Sequence, residues 1–214
     1  FFDAMNQTIA ALHGLNPNDV GLGEFGRADG FLSRQVRRWI DQYRTSQTEN
    51  IPAMEALIAW LPQRTPPDAL RPRIFHGDLR LDNMIFHPTE PRLLAVLDWE
   101  LSTLGDPIAD LANHVMAWRI PPSIFRGLAG LDLAALGIPS EREYLERYFH
   151  RTGSEPPENW SFYLAFSLFR LASILQGVAK RAQGGNASSA DAAHVGAQAR
   201  PLAEIGWAIA RGET

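Results

Sequence analysis

At 214 residues, 45% of them hydrophobic, the chain is sized for one domain, residues 1–214, and can bury a substantial core. A formal net charge of −4 gives no electrostatic footprint for nucleic acid, and the absence of cysteine excludes disulfides and thiolate metal sites. No signal peptide is apparent and no apolar run is expected to reach transmembrane length, so a cytoplasmic protein with neither a nucleic-acid nor a membrane partner is expected.

Residues 4–12 read as a helix. Gly21-Leu22-Gly23-Glu24-Phe25-Gly26 fits G-x-G-x-x-G, but a phosphate-binding loop of that form follows a strand. Here Asn16-Pro17-Asn18-Asp19 precedes it, which is turn chemistry, so the segment is expected to connect two helices. Residues 30–43 place Phe31, Leu32, Val36, Trp39 and Ile40 near the helical period, with Arg34, Arg37 and Arg38 on a solvated face. Ile51–Leu61 is a third helical pattern with Pro52 at its start, where proline is tolerated.

Arg73-Ile74-Phe75 has the look of a short extended segment leading into His76-Gly77-Asp78-Leu79-Arg80-Leu81-Asp82-Asn83. Met84-Ile85-Phe86 is a short apolar run, residues 87–91 have turn composition, and Leu93–Leu97 is a second apolar run, expected to be buried. Together they predict a small hairpin with Asn83 and Asp98 at adjoining ends. Asp78, Asn83 and Asp98 then fall within a stretch of 21 residues. Packing alone gives no reason for that set, whereas phosphoryl transfer does. It needs a carboxylate to take the proton of an acceptor hydroxyl and hard oxygen ligands to hold Mg²⁺. Competing readings stand beside it: Asp98 as the cap of a following helix, Asp82 as a solvated turn residue, and Glu100 as either a supporting or an exposed group.

Further along, Asp106-Pro107 is an acceptable helix start for residues 108–118. Ser140 with Glu143 is a capping-box signature for a helix running to about Arg151. Residues 160–181 form a long, strongly apolar helix whose aromatics, Trp160, Phe162, Tyr163, Phe166 and Phe169, are expected in the core. Gly184-Gly185-Asn186 signals a loop, and residues 190–211 a last helical stretch interrupted by Pro201. The histidines His87, His114, His150 and His194 show no metal-ligand spacing.

The H-G-D-x-x-x-x-N segment, the apolar-Asp-Trp segment at Asp98, and Gly105-Asp106-Pro107-Ile108-Ala109-Asp110-Leu111-Ala112 together resemble the aminoglycoside phosphotransferase family of the protein-kinase-like superfamily. The resemblance implies a mainly α, α+β fold: a protein-kinase-like C-terminal lobe, helical, with a small β-hairpin carrying the catalytic and metal-binding loops. It implies Asp78 as catalytic base, Asn83 and Asp98 as ligands of Mg²⁺ and, through it, of ATP, and His76 and Asp110 as supports of the loop. Arg80, two residues after the base, is positioned to neutralise charge on the transferring phosphate.

The expected activity is transfer of the γ-phosphoryl group of ATP to the hydroxyl of a small molecule. A pseudokinase or scaffold, and a metal-dependent phosphate-ester hydrolase, are the alternatives. Residues 1–72 do not read as the β-rich lobe that completes a kinase-like enzyme. The chain is therefore expected to be a C-terminal lobe whose N-terminal lobe lies elsewhere on the same polypeptide, inactive and weak in ATP binding by itself. The acids Glu141, Glu143, Glu146, Glu155 and Glu158 interleave with Arg142, Arg147 and Arg151, a salt-bridged surface pattern and not a pocket for a polycationic antibiotic. The segment from Val20 to Trp39, with Asp98-Trp99-Glu100, is similar to kinase-like domains associated with acyl-CoA dehydrogenases, which implies a hydroxyacyl-type acceptor.

Overall fold

The computed structural model of the protein describes residues 1–68, 71–185 and 191–213. In chain order its elements are α1 (Phe2–Gly14), α2 (Phe31–Ser46), α3 (Pro52–Arg64), β1 (Arg73–Phe75), β2 (Met84–Phe86), β3 (Leu93–Val96), β4 (Thr103–Gly105), α4 (Pro107–Val115), α5 (Pro122–Phe125), α6 (Glu141–Thr152), α7 (Trp160–Gln183), α8 (Ala192–Ala197) and α9 (Ala199–Ala210). The helix starts follow local chemistry. Gly30 takes the left-handed conformation (φ 65°) that turns the chain into α2, and Pro52 is the first residue of α3. At α6 the Ser140 side chain accepts from the Glu143 N–H while the Glu143 carboxylate accepts from the Ser140 N–H, the predicted capping box.

Helix α7 is the axis of the molecule. Its run from Phe162 to Ala172 is buried on every face and packs against α2, α3, α4, α8 and α9. This corrects one expectation: α7 is long and apolar enough by length and composition to cross a membrane, although 83% of its most apolar window is buried inside the protein. A second cluster joins α1 and α6 to Leu79 of the loop after β1 and Met84 of β2. Helix α4 is the shared wall, giving Ala109 and Ala112 to the first cluster and Leu111 and Val115 to the second. The face between them turns Asp110, Asn113 and His114 toward the loop and the cavity beside it.

Two small antiparallel ladders carry the site. β2 pairs with β3, Met84 opposite Val96, and a register shift at Ile85/Phe86 sets Phe86 opposite Leu93. That bulge leaves Leu94 unmatched and 51% exposed, and Leu97 is 44% exposed, so the expectation of a buried second run is overturned. A two-stranded hairpin at the surface has no second layer to cover its outer face. In the other ladder β1, the extended segment expected at residues 73–75, pairs with β4, which had no sequence signal, and sets Phe75 opposite Thr103. It holds the start of α4 beneath the loop that follows β1.

Other departures are local. The helix expected over 108–118 is α4 to Val115 followed by a 3₁₀ turn, Met116–Arg119. The last stretch breaks at Gln198, not at Pro201, which sits in the first turn of α9, where a missing N–H removes no helical bond. Gly184 ends α7 as predicted, while Asn186 and Ala190 lie outside the described residues. Gly21–Gly26 follows a 3₁₀ turn, Pro17–Val20, as a connection to α2.

Candidate functional site

The loop after β1 is held from three sides. Gly77 has φ 89°, and a Cβ there would meet Leu101 and Phe75 at 3.0 Å, so both the conformation and the space call for glycine. Fully buried Asp110 accepts from the His76 N–H at 2.7 Å and from the Gly77 N–H at 3.0 Å. One turn on, His114 Nδ1 meets the Leu79 carbonyl at 3.1 Å, so an i, i+4 pair on α4 grips the loop twice. Opposite, Arg170 of α7 donates to the Gly77 carbonyl and lies 5.1 Å over the Trp39 ring. Burial pulls the Arg170 pKa down, opposed by the charges of Asp78 and Asp110. Asp110 also meets His13 Nε2 at 3.3 Å, and His13 Nδ1 meets the Tyr148 hydroxyl at 2.8 Å.

His76 ties the loop to the hairpin. Its Nδ1 accepts from the Asp78 N–H at 3.1 Å, which leaves Nε2 as the donor to the Leu97 carbonyl at 3.0 Å. Its ring packs 4.5 Å from that of Trp99, whose indole N–H donates to the Val96 carbonyl. The two residues flanking Asp98 are therefore pinned to the loop that carries Asp78.

Asp78 is part-exposed. Arg80 Nε lies 3.0 Å from its Oδ1 and 3.2 Å from Oδ2, and Asn83 Nδ2 donates at 2.9 Å to both Oδ2 and the Asp78 carbonyl. With its amide nitrogen committed, Asn83 presents Oδ1 without a protein partner among the described residues. The Leu97 N–H donates to the Asn83 carbonyl at 2.8 Å, which places Asn83 against the residue before Asp98. Asp98 is exposed and stands at φ 65°, a left-handed conformation that costs a non-glycine residue about 1–2 kcal/mol. Its carboxylate makes no capping bond to the 3₁₀ turn that follows, so the capping reading does not hold. An exposed carboxylate on a strained backbone, next in sequence to Leu97 that is bonded to Asn83, and an amide oxygen without a partner among the described residues make a hard-oxygen donor set of the kind a divalent cation takes. Mg²⁺ fits it.

Around this corner, Asp82 is not simply solvated. It pairs with Arg126, and Arg80 Nη1 stands 3.8 Å from it. Glu100 is exposed. Asp106 caps α4 by accepting from the Ile108 N–H at 2.9 Å and receives the Tyr163 hydroxyl at 2.7 Å. Burial raises its pKa and those two bonds oppose the rise. Sequence reasoning missed Arg170, His114 and His13. A lone arginine within the apolar run of α7 was the one signal for Arg170, and the four-residue spacing from Asp110 was the signal for His114. Nothing local marks His13.

A helical lobe whose surface hairpin and braced loop present Asp, Asn and Asp at one corner is the architecture of a protein-kinase-like phosphotransferase lobe. The chain belongs to the phosphotransferase enzyme family (APH), whose model matches residues 1–166. It is similar to acyl-CoA dehydrogenase family member 10 of Mus musculus, 47% identical over 214 residues that are 99% of this chain and 20% of the relative. Acyl-CoA dehydrogenase family member 11 of Rattus norvegicus is 41% identical over 209 residues, 96% of this chain and 27% of the relative. The chain thus spans about a fifth to a quarter of these relatives' length. A crystal structure from Ralstonia eutropha, provisionally named an aminoglycoside phosphotransferase, matches with a TM-score of 0.94 and 55% identity over 99% of this chain and 64% of that one. Plasmodium vivax ethanolamine kinase shares the fold at a TM-score of 0.56 and 14% identity, covering 100% of this chain and 61% of that one.

Proposed function

We propose that this chain is the catalytic lobe of a small-molecule kinase that moves the γ-phosphoryl group of ATP to the hydroxyl of a hydroxyacyl-type acceptor. The observation that carries the proposal is the convergence of Asp78, Asn83 and Asp98 through the His76–Leu97 and Leu97–Asn83 hydrogen bonds. In the transfer, the acceptor oxygen forms the new bond to the γ-phosphorus as the bond from that phosphorus to the β-bridging oxygen breaks. Asp78 orients the hydroxyl and takes its proton, and the charge left behind stays on ADP. Arg80, already paired with Asp78, lies where it neutralises charge on the moving phosphoryl group. Asn83 Oδ1 and the Asp98 carboxylate would hold Mg²⁺, which when bound neutralises the β- and γ-phosphates.

The hydroxyacyl acceptor is suggested by the names of the relatives, and the apolar cavity beside the loop agrees with it better than with a polycation. In this reading the remaining wall of the nucleotide site belongs to parts of the polypeptide outside these 214 residues. A phosphate-ester hydrolase would call for further His or carboxylate ligands, and no cluster of three or more such groups occurs among the described residues.

The test is product analysis with the full-length polypeptide. ADP and a phosphorylated acceptor are expected, and Asp78→Ala should lower turnover by about 10²–10⁴-fold with the fold intact. Near-normal turnover in that variant, or release of free phosphate from an ester with no ADP formed, would sink the assignment.

A further inference from the structure

The Asp110 carboxylate takes three donors, and they are not equivalent. Its Oδ2 accepts from the His76 N–H at 2.7 Å and faces His13 Nε2 at 3.3 Å, and its Oδ1 accepts from the Gly77 N–H at 3.0 Å. Two of the three belong to the loop that Asp110 positions. A carboxylate swings about a broad, roughly two-fold torsion, so donors on the loop alone would let loop and carboxylate turn together. His13 is the donor that comes from elsewhere, 97 residues before Asp110 on α1. Behind it, His13 Nδ1 meets the Tyr148 hydroxyl of α6 at 2.8 Å.

The protons of this series follow from its partners. Nε2 faces a carboxylate, so the neutral ring carries its proton there and leaves Nδ1 as an acceptor. The Tyr148 hydroxyl has no other hydrogen-bond partner among the described residues, and it donates to Nδ1. The opposite tautomer would set a lone pair against the Asp110 carboxylate and leave the phenolic proton without an acceptor. Burial, reinforced by the charges of Asp110 and Asp106, holds the Tyr148 pKa above its ordinary value, so the phenol keeps the proton it donates. All three residues are buried, so bulk water does not compete for these bonds. The helix pair behind them is fixed as well. Asn6, about two turns before His13 on α1, donates to the Tyr144 carbonyl at 2.8 Å and accepts from Arg151 at 2.6 Å.

We propose that His13 and Tyr148 are positioning residues for phosphoryl transfer: a hydrogen-bonded relay, Tyr148 O–H to His13 Nδ1 and His13 Nε2–H to Asp110, that fixes the Asp110 carboxylate and, through the His76 and Gly77 peptides, the place of Asp78. Neither residue touches the reacting atoms, and no proton has to move along the relay. Asp78 directly follows the braced peptides, and Arg80 and Asn83 are bonded to its carboxylate. A tilt of the loop therefore displaces the base together with the amide beside it. The link to catalysis rests on the function proposed above; the relay and its hold on the loop do not.

The experiment uses the full-length polypeptide, with turnover of ATP and hydroxydecanoate measured beside hydrogen–deuterium exchange of the peptide spanning residues 76–79. His13→Leu should lower kcat by about tenfold to a hundredfold with both KM values within about twofold, because a misplaced base slows the reaction without weakening binding. The same variant should speed exchange at residues 76–79 by about tenfold. His13→Gln keeps an N–H donor at about the reach of Nε2 and should return kcat to within about threefold of the wild type. Tyr148→Phe removes only the far donor, and its kcat and loop exchange should fall between those of the wild type and His13→Leu. Asn6→Leu is the control, since Asn6 is buried and holds the same two helices without a bond to Asp110. It should lower the thermal midpoint yet leave kcat and exchange at residues 76–79 within about twofold. Equal losses in Asn6→Leu and His13→Leu, or in His13→Gln and His13→Leu, overturn the proposal. Should His13→Leu fail to fold, unaltered loop exchange and kcat in Tyr148→Phe overturn it. No turnover in any protein, with loop exchange raised by His13→Leu and not by Asn6→Leu, keeps the relay and removes the kinase reading. Turnover and loop exchange both indifferent to His13→Leu do the reverse.

Discussion

Asp110→Asn tests the brace on which the loop depends. Asp110 is fully buried, and its two oxygens take the His76 N–H at 2.7 Å and the Gly77 N–H at 3.0 Å, with His13 Nε2 at 3.3 Å from the first of those oxygens. Asparagine keeps the shape but replaces one oxygen by NH₂. Whichever way the amide turns, a donor faces a donor. Losing one charge-assisted bond removes about 1.5–3 kcal/mol, and the orphaned backbone N–H adds about 1–3 kcal/mol, so the variant should be destabilised by roughly 3–5 kcal/mol. For a slope of about 2 kcal/mol/M in urea, the unfolding midpoint should fall by roughly 2 M with the slope unchanged, read by circular dichroism. Turnover should fall in parallel, because Asp78 sits one residue beyond the braced peptides. A midpoint within about 0.3 M of the wild type, with normal turnover, would refute the argument that Asp110 shapes the loop.

Asp98→Gly should be neutral to about 1 kcal/mol more stable in thermal unfolding, because glycine adopts φ 65° without strain, yet it should lose Mg²⁺-dependent nucleotide binding. Unchanged Mg-ATP affinity by calorimetry would contradict the metal role. His114 makes a pH prediction. Its pKa falls from 6.5 in the unfolded chain to about 4 in the folded one, chiefly by burial, so the unfolded state binds more protons between those values. Stability should then be fully present above about pH 6.5 and decline as pH falls toward about 4, with about 2 kcal/mol lost by about pH 5. His114→Gln should remove that part of the pH dependence; identical pH profiles of wild type and variant in urea would show that His114 is not the group.

Much of the fold was legible in the sequence because its signals are local. The helical period of residues 31–40, proline at the start of α3, the Ser140–Glu143 capping box and the apolar run of α7 each act over a few residues. Asn83 and Asp98 could be expected at adjoining hairpin ends because two short runs around a turn leave few alternatives. What failed were statements about burial. Leu94 and Leu97 are as apolar as core residues, and nothing in a run of five such residues says that a hairpin will meet solvent on one face.

The sequence by itself determined the chemistry available: a carboxylate, an amide and a second carboxylate at phosphotransferase spacing, with no cysteine to offer another kind of site. Tertiary structure alone decided how those groups are aimed. Asp110 comes from 34 residues beyond His76, Arg170 from 93 beyond Gly77 and His13 from 97 before Asp110, contacts that no short-range pattern can encode. The same holds for Asn113 and His114, which read as ordinary helix members until the fold buries them near the loop that carries Asp78, where His114 Nδ1 meets the Leu79 carbonyl while His114 Nε2 and Asn113 Nδ2 have no hydrogen-bond partner among the described residues. The reason is physical. Local propensities act through neighbours along the chain, whereas the burial and pairing of a polar group depend on which distant segments close over it.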